Sequence, residues 1–220
     1  MSAESQQRSP GERWALVVID MQNDFLHGDG YYARRSSDAT QRTVHGLRDP
    51  AIASMVGGVA AAVTTAREYG RPIAFVRAVY DRGFSVVPPS LLRNPNRTDF
   101  PCKPGTWGAN LVAPVAALVA DTAADAVETM IDKHTYNAFH ETSLHEFLQG
   151  TDADSVVLCG TETQVCVLAS AQHAAFLGYH PFILEDAVWS ANHNAANAGL
   201  AMFRDAYGST LTTEELSLNR

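Results

Sequence analysis

The chain has 220 residues, 46% hydrophobic and 18% charged, which is the size and balance of one large globular domain able to bury a core. Its formal net charge of −8, without any basic run, argues against nucleic acid, whose phosphates are met by clustered Lys and Arg. No apolar stretch reaches the roughly 20 residues of a membrane helix. Residues 1–12 are polar, lack the apolar centre of a signal peptide and read as a mobile tail ahead of a single domain over 13–220. Three cysteines at irregular spacing form neither a disulfide framework nor a zinc pattern, so a reducing cytoplasm is the simplest setting.

In chain order, Trp14–Ile19 is a continuous apolar run ending at Asp20, the pattern of a strand buried on both faces. Ala51–Tyr69 has helical spacing and stops at Gly70. Pro72–Val79 reads as a second buried strand. Arg82–Thr106, rich in proline and polar residues, reads as a long irregular excursion of the kind that forms lids and binding loops. Asn110–Ala120 suggests a helix interrupted or opened by Pro114. Glu128–Asp132 is a short strand followed by Lys133, and Glu141–Leu148 looks helical. Ser155–Gly160 is a strand, and Gln164–Leu177 a helix closed by Gly178. His180–Leu184 is a strand, Asn192–Tyr207 a helix, and Ser209–Thr212 a last short strand.

This alternation predicts βαβ units, a parallel sheet and right-handed crossovers. Ligands in such sheets bind beyond the carboxyl ends of the strands. Asp20, Lys133 and Cys166 fall at or just past such ends. Cys166 opens a helix, where the positive end of the backbone dipole would lower a thiol pKa and N–H groups can face an oxyanion. On position alone each has a structural alternative: a buried packing cysteine, a turn-initiating aspartate, a solvated strand-end lysine. Cys159, inside a strand, is the better structural cysteine. Cys102 is read as exposed and without a role.

The segments ALVVIDMQNDFLHGDG, DKHTYNAFHETSL and VVLCGTETQVCVLASAQHAAFLGY occur in this order and resemble the three signature blocks of the isochorismatase-like cysteine hydrolases. That family includes nicotinamidases, N-carbamoylsarcosine amidase, ureidoacrylate and biuret amidohydrolases, and isochorismatase. The resemblance covers about Trp14 to Tyr207. It implies a three-layer α/β/α, Rossmann-like fold with a six-stranded parallel sheet. It implies an Asp–Lys–Cys triad carried onto Asp20, Lys133 and Cys166. It further implies a cis peptide at Thr161–Glu162 that helps turn the N–H groups of Glu162 and Cys166 into an oxyanion hole. The expected activity is cleavage of a C–N bond in a small amide or carbamoyl compound through a thioester on Cys166. Cleavage of a vinyl ether, as by isochorismatase, and a non-catalytic binding role are the competing expectations. A homo-oligomer, dimer or tetramer, is expected on the same ground.

Metal-dependent nicotinamidases carry an Asp-x-His after the second strand. The corresponding VRAVYDRGFSVV has Asp81 but no histidine, so no metal and no cofactor are expected. His134, His140 and His145 fit no common zinc spacing and read as surface or capping residues. Arg77 would meet a substrate carboxylate or else form a structural ion pair. Trp107, Tyr136 and Phe139 are candidate pocket walls, and Glu162 would contact substrate nitrogen or stabilise its turn.

Overall fold

Every residue of β1 (Trp14–Ile19) is buried, as its unbroken apolar run requires. Trp14, Leu16 and Val18 enter one hydrophobic cluster while Ala15, Val17 and Ile19 enter a second, so the strand divides two cores by its period of two. The computed structural model describes residues 9–35, 46–80 and 99–218.

Five further strands pair in parallel: β2 (Ile73–Ala78), β3 (Glu128–Lys133), β4 (Ser155–Thr161), β5 (His180–Trp189) and β6 (Ser209–Leu211), in the order β3-β2-β1-β4-β5-β6. The six-stranded parallel sheet agrees with the sequence. Short helices α1 (Asn23–Leu26) and α2 (Tyr31–Arg35) follow β1, and α3 (Pro50–Glu68) links β1 to β2. Next come α4 (Ala113–Ala120), α5 (Leu144–Gly150), α6 (Leu168–Phe176), α7 (His193–Ala206) and α8 (Thr213–Leu218). α3, α4 and α8 pack on one face through Ile52, Val59, Val115 and Leu216. α5, α6 and α7 pack on the other through Leu144, Leu148, Ala171 and Phe203.

Several boundaries differ from the sequence reading. α4 starts at Ala113, with Pro114 in its first turn, where a missing N–H costs nothing. The helix expected over Gln164–Leu177 begins instead as a π-helical turn, Thr163–Val167, and becomes α-helical at Leu168. The possible lid falls largely on residues 81–98, outside the described residues. No helix among the described residues is long and apolar enough to cross a membrane.

The chain moves outward from β1 through β2 to β3, then returns to lay β4 on the opposite side of β1. The order of strands therefore reverses between β1 and β4, the position at which open parallel sheets form a binding crevice.

Candidate active site

β1 and β4 approach closely at that crevice. Gly160 adopts φ of 113°, and a Cβ there would lie 2.0 Å from the Ile19 carbonyl oxygen, so only glycine lets β4 run against the end of β1. The register shifts between Leu158 and Gly160 at the same place. Asp20 has φ of 52°, a left-handed conformation that aspartate tolerates, and its N–H is held by the Val76 carbonyl at 2.8 Å. The chain thus leaves β1 abruptly and presents the Asp20 carboxylate at the end of the sheet.

Lys133 closes β3 and reaches across to Asp20, Nζ to Oδ2 at 2.8 Å, with both side chains fully buried. A second Lys133 donor meets the Thr135 carbonyl at 2.9 Å. The Cys166 thiol, also buried, lies within electrostatic reach of both. Burial pushes the Asp20 carboxyl above the ordinary carboxylate value, although Lys133 pulls the other way. Burial alone would lower Lys133, but the neighbouring Asp20 and Cys166 raise it, so the ammonium stays charged.

The expectation of a thiol pKa lowered by a helix terminus is corrected here. Burial raises the Cys166 thiol well above its ordinary value, and Lys133 offsets only part of that. The thiol rests neutral and needs a base, and Asp20 stands beside it. The Thr161–Glu162 peptide preceding it is cis.

Both loops are fixed from outside. Ser170 on α6 donates to the Cys166 carbonyl at 2.7 Å and accepts from the Ala138 N–H at 2.9 Å, tying the Cys166 turn to the segment after Lys133. Gln22 donates to the carbonyls of Ala78 and Ala109 and accepts from the Ala78 N–H, all within 2.7–2.8 Å. Asp24, buried, accepts from the N–H groups of Tyr31 and Cys102 at 3.0 and 2.6 Å. A Cβ at Gly108 would sit 2.2 Å from that carboxylate, so glycine admits it.

The remaining candidates separate. Arg77 forks onto Asp132 of the adjacent strand, with Nη2 to Oδ2 at 3.2 Å. The structural ion pair, not a waiting carboxylate receptor, is what the structure places there. Phe139 is buried and stacks on His173 and Tyr179 with ring centroids 5.6 and 6.3 Å away, so it packs a core. Trp107 stands edge-on to His27 and lines a groove of about 540 Å³ whose lining includes none of Asp20, Lys133 and Cys166. Tyr136 and Glu162 are half-buried; Glu162 lies within electrostatic reach of the Cys166 thiol, and Tyr136 within that of Tyr32. His134 Nδ1 lies 2.8 Å from the Val79 carbonyl, and His145 pairs with the Tyr179 hydroxyl at 3.0 Å. His140 faces Glu141 at 4.0 Å. Among the described residues no three potential ligands gather for a metal; Asp81 lies outside them.

Sequence reasoning missed Tyr32, Tyr80 and the true setting of Cys102. Cys102 is fully buried, not exposed, within electrostatic reach of Asp20, Asp24, Lys133 and Cys166. Tyr80 and Tyr32 likewise lie within electrostatic reach of Cys166 and Cys102. Tyr80 follows the end of β2 and was open to the same strand-end reasoning that marked Asp20 as a candidate. Tyr32 comes from a short helix and had no such signal.

A protein of Arabidopsis thaliana called a probable inactive nicotinamidase is 29% identical, the match covering 94% of this chain and 97% of that one. A ureidoacrylate amidohydrolase of Cronobacter turicensis is 25% identical over 82% of this chain and 76% of its own length. Among solved structures, a pyrazinamidase/nicotinamidase of Streptococcus mutans matches with a TM-score of 0.73 at 27% identity, covering 90% of this chain and 99% of that one. A family model described as the isochorismatase domain matches residues 14–215, nearly the whole chain. The chain belongs to the isochorismatase family.

Proposed function

We propose that this protein is a cysteine hydrolase that cleaves a C–N bond of a small amide or carbamoyl compound through a thioester on Cys166. The observation that carries this reading is a neutral buried thiol set against a buried carboxylate–ammonium pair at the strand-order reversal. The amide and ureide chemistry named for its relatives supports it.

Asp20 takes the thiol proton as Cys166 Sγ attacks the carbonyl carbon, and Lys133 keeps the separated charges favourable. The N–H groups of Glu162 and Cys166 receive the developing oxyanion. Protonated Asp20 passes its proton to the leaving nitrogen as the C–N bond breaks. Water, giving a proton to Asp20, then splits the thioester, and the released thiol recovers its proton.

The test is a panel of primary amides, ureides and isochorismate, with ammonia release as readout and mass spectrometry to trap an acyl group on Cys166. Cys166→Ala should stay folded and lose at least about 10³-fold in turnover. Pyruvate from isochorismate, with no ammonia from any amide and no adduct on Cys166, would overturn the reading.

A further inference from the structure

At the end of the sheet away from Asp20, Lys133 and Cys166, a cavity of about 290 Å³ opens where β1, β2, β3 and β4 begin. Trp14, the first residue of β1, forms part of its wall, with Arg71 and Pro72 just ahead of β2 and Val127 just ahead of β3. The volume lies at the small end for ligand sites, which span roughly 300–1,000 Å³.

The backbone holds this wall in place. α3 ends in a Schellman motif: the Gly70 N–H, at φ of 61°, donates to the Arg67 carbonyl at 3.0 Å, and the Arg71 N–H to the Ala66 carbonyl at 2.7 Å. The Pro72 carbonyl accepts from the Leu16 N–H at 2.9 Å, and the Val127 carbonyl from the Ile73 N–H at 3.0 Å.

The polar groups of the wall are unfinished. Trp14 is wholly buried, yet its Nε1 has no acceptor among the described residues, and neither has the enclosed Nε of Arg71. The Arg71 guanidinium lies over the Trp14 indole, Cζ 5.9 Å from the ring centroid, and makes no hydrogen bond or ion pair among the described residues. Arg13, by contrast, is spent on Asp152 and Asp154 at 3.3 and 2.6 Å. A buried N–H without an acceptor is costly, and a ligand oxygen brought into the cavity removes that cost. A guanidinium laid on an indole presents a planar fork, which a carboxylate matches with two parallel bonds.

We propose that this cavity is a second ligand site, separate from the catalytic crevice, that binds a small monocarboxylate with a compact apolar body: the carboxylate on Arg71, the body against Pro72 and Val127. Charge favours one negative charge over two. Arg71 supplies a single uncompensated cation, while exposed Glu12 at the rim and the carbonyl end of α3 oppose a dianion such as phosphate. The site does not depend on the hydrolase reading above.

The test is ¹⁹F NMR on the full chain labelled with 5-fluorotryptophan, whose three signals are assigned with Trp14→Phe, Trp107→Phe and Trp189→Phe. Benzoate, benzyl alcohol and inorganic phosphate are titrated at constant ionic strength and pH 7. Benzoate should shift the Trp14 signal saturably at millimolar concentration and leave the Trp107 signal in place. Benzyl alcohol, of the same shape without the charge, should bind at least about tenfold more weakly, and phosphate more weakly than benzoate. Arg71→Gln should weaken benzoate at least about tenfold with the unliganded Trp107 and Trp189 signals unmoved, and Arg71→Lys should recover only part, since an ammonium has no fork.

No saturable shift at Trp14, an affinity unchanged by Arg71→Gln, or benzyl alcohol binding as tightly as benzoate overturns the inference. Phosphate binding more tightly than benzoate overturns the monocarboxylate assignment. Benzoate binding seen only in Glu12→Gln would make Glu12 the occupant of Arg71 and would also overturn it.

Discussion

Among the described residues, Lys133 and Asp20 are the two ionisable side chains taken furthest from water, and each is tolerable only because of the other. Removing one partner of such a pair leaves a buried charge uncompensated, whereas removing both leaves an ordinary apolar site. Lys133→Met should therefore destabilise the fold by about 3–5 kcal/mol, read from urea midpoints, while the double variant Asp20→Leu/Lys133→Met should recover most of the loss. A double variant no more stable than the single one would show that the pair is not the unit proposed here. The same burial sets a pH dependence. A base works only when deprotonated, and the Asp20 pKa is raised by burial above the 3.8 of an ordinary aspartate. The acid limb of kcat/KM should thus rise through a pKa above 3.8, and Asp20→Asn should remove the activity rather than shift that limb. At this scale a polar residue at the end of a buried strand marked Asp20 and Lys133 only as candidates, and the family resemblance made a triad of them; the structure brings their side chains together. It was misleading for the Cys166 pKa, because helix position is visible in a sequence and complete desolvation is not. It was silent on Tyr32 and on Cys102, whose neighbours come from distant segments.

Among the elements, the strands were legible because a parallel sheet buries both faces and leaves continuous apolar runs. β5 was read only to Leu184 because Glu185 and Asp186 interrupt its run. The structure gives those two carboxylates partners instead: Glu185 pairs with Arg204, and Asp186 accepts from the Thr213 N–H and hydroxyl at the start of α8. α5 begins at Leu144 and not at Glu141, since Glu141 takes φ of 54° and the Thr142 hydroxyl accepts from the Leu144 N–H. α1, α2 and α8 are too short to show a periodic pattern. The outermost strand β3 is anchored by a fork: Arg67 at the end of α3 donates to both Glu128 oxygens at 2.7 and 3.0 Å, and the Thr122 hydroxyl adds a bond at 2.7 Å. Burial alone would raise Glu128, but Arg67 and Thr122 bring it below its ordinary 4.5. A carboxylate with a depressed folded pKa stabilises fully above its unfolded value and loses that contribution as pH falls through the folded one. Glu128→Gln should accordingly cost about 1–2 kcal/mol at pH 7, with the gap to the unsubstituted protein closing in acid. Equal midpoint differences at pH 7 and in strong acid would contradict this.

Across the whole molecule, the strand order gathers on one edge of the sheet groups contributed by β1, β2, β3 and β4, a convergence that no single segment announces. The alternation of strands and helices allowed the sheet to be expected, but the placement of the crevice between β1 and β4 depends on which side of β1 the fourth strand joins. What that edge carries bears on metal dependence. The groups proposed to meet developing charge are backbone N–H donors for the oxyanion and the Lys133 ammonium for the thiolate, all supplied by the chain itself. The histidines that follow Lys133 are turned to other partners: His134 to the Val79 carbonyl, His140 toward Glu141 and His145 to Tyr179. The segment after β2 holds Asp81 without a histidine two residues on. Hydrolysis should therefore survive exhaustive chelation followed by removal of the chelator. The check is ammonia release before and after treatment, with metal content measured on the same samples. Activity lost on chelation and restored by zinc or iron would overturn the expectation and direct attention to ligands contributed from the segment around Asp81. Activity retained at negligible metal content would leave the thiol, the carboxylate and the ammonium as the groups that do the chemistry.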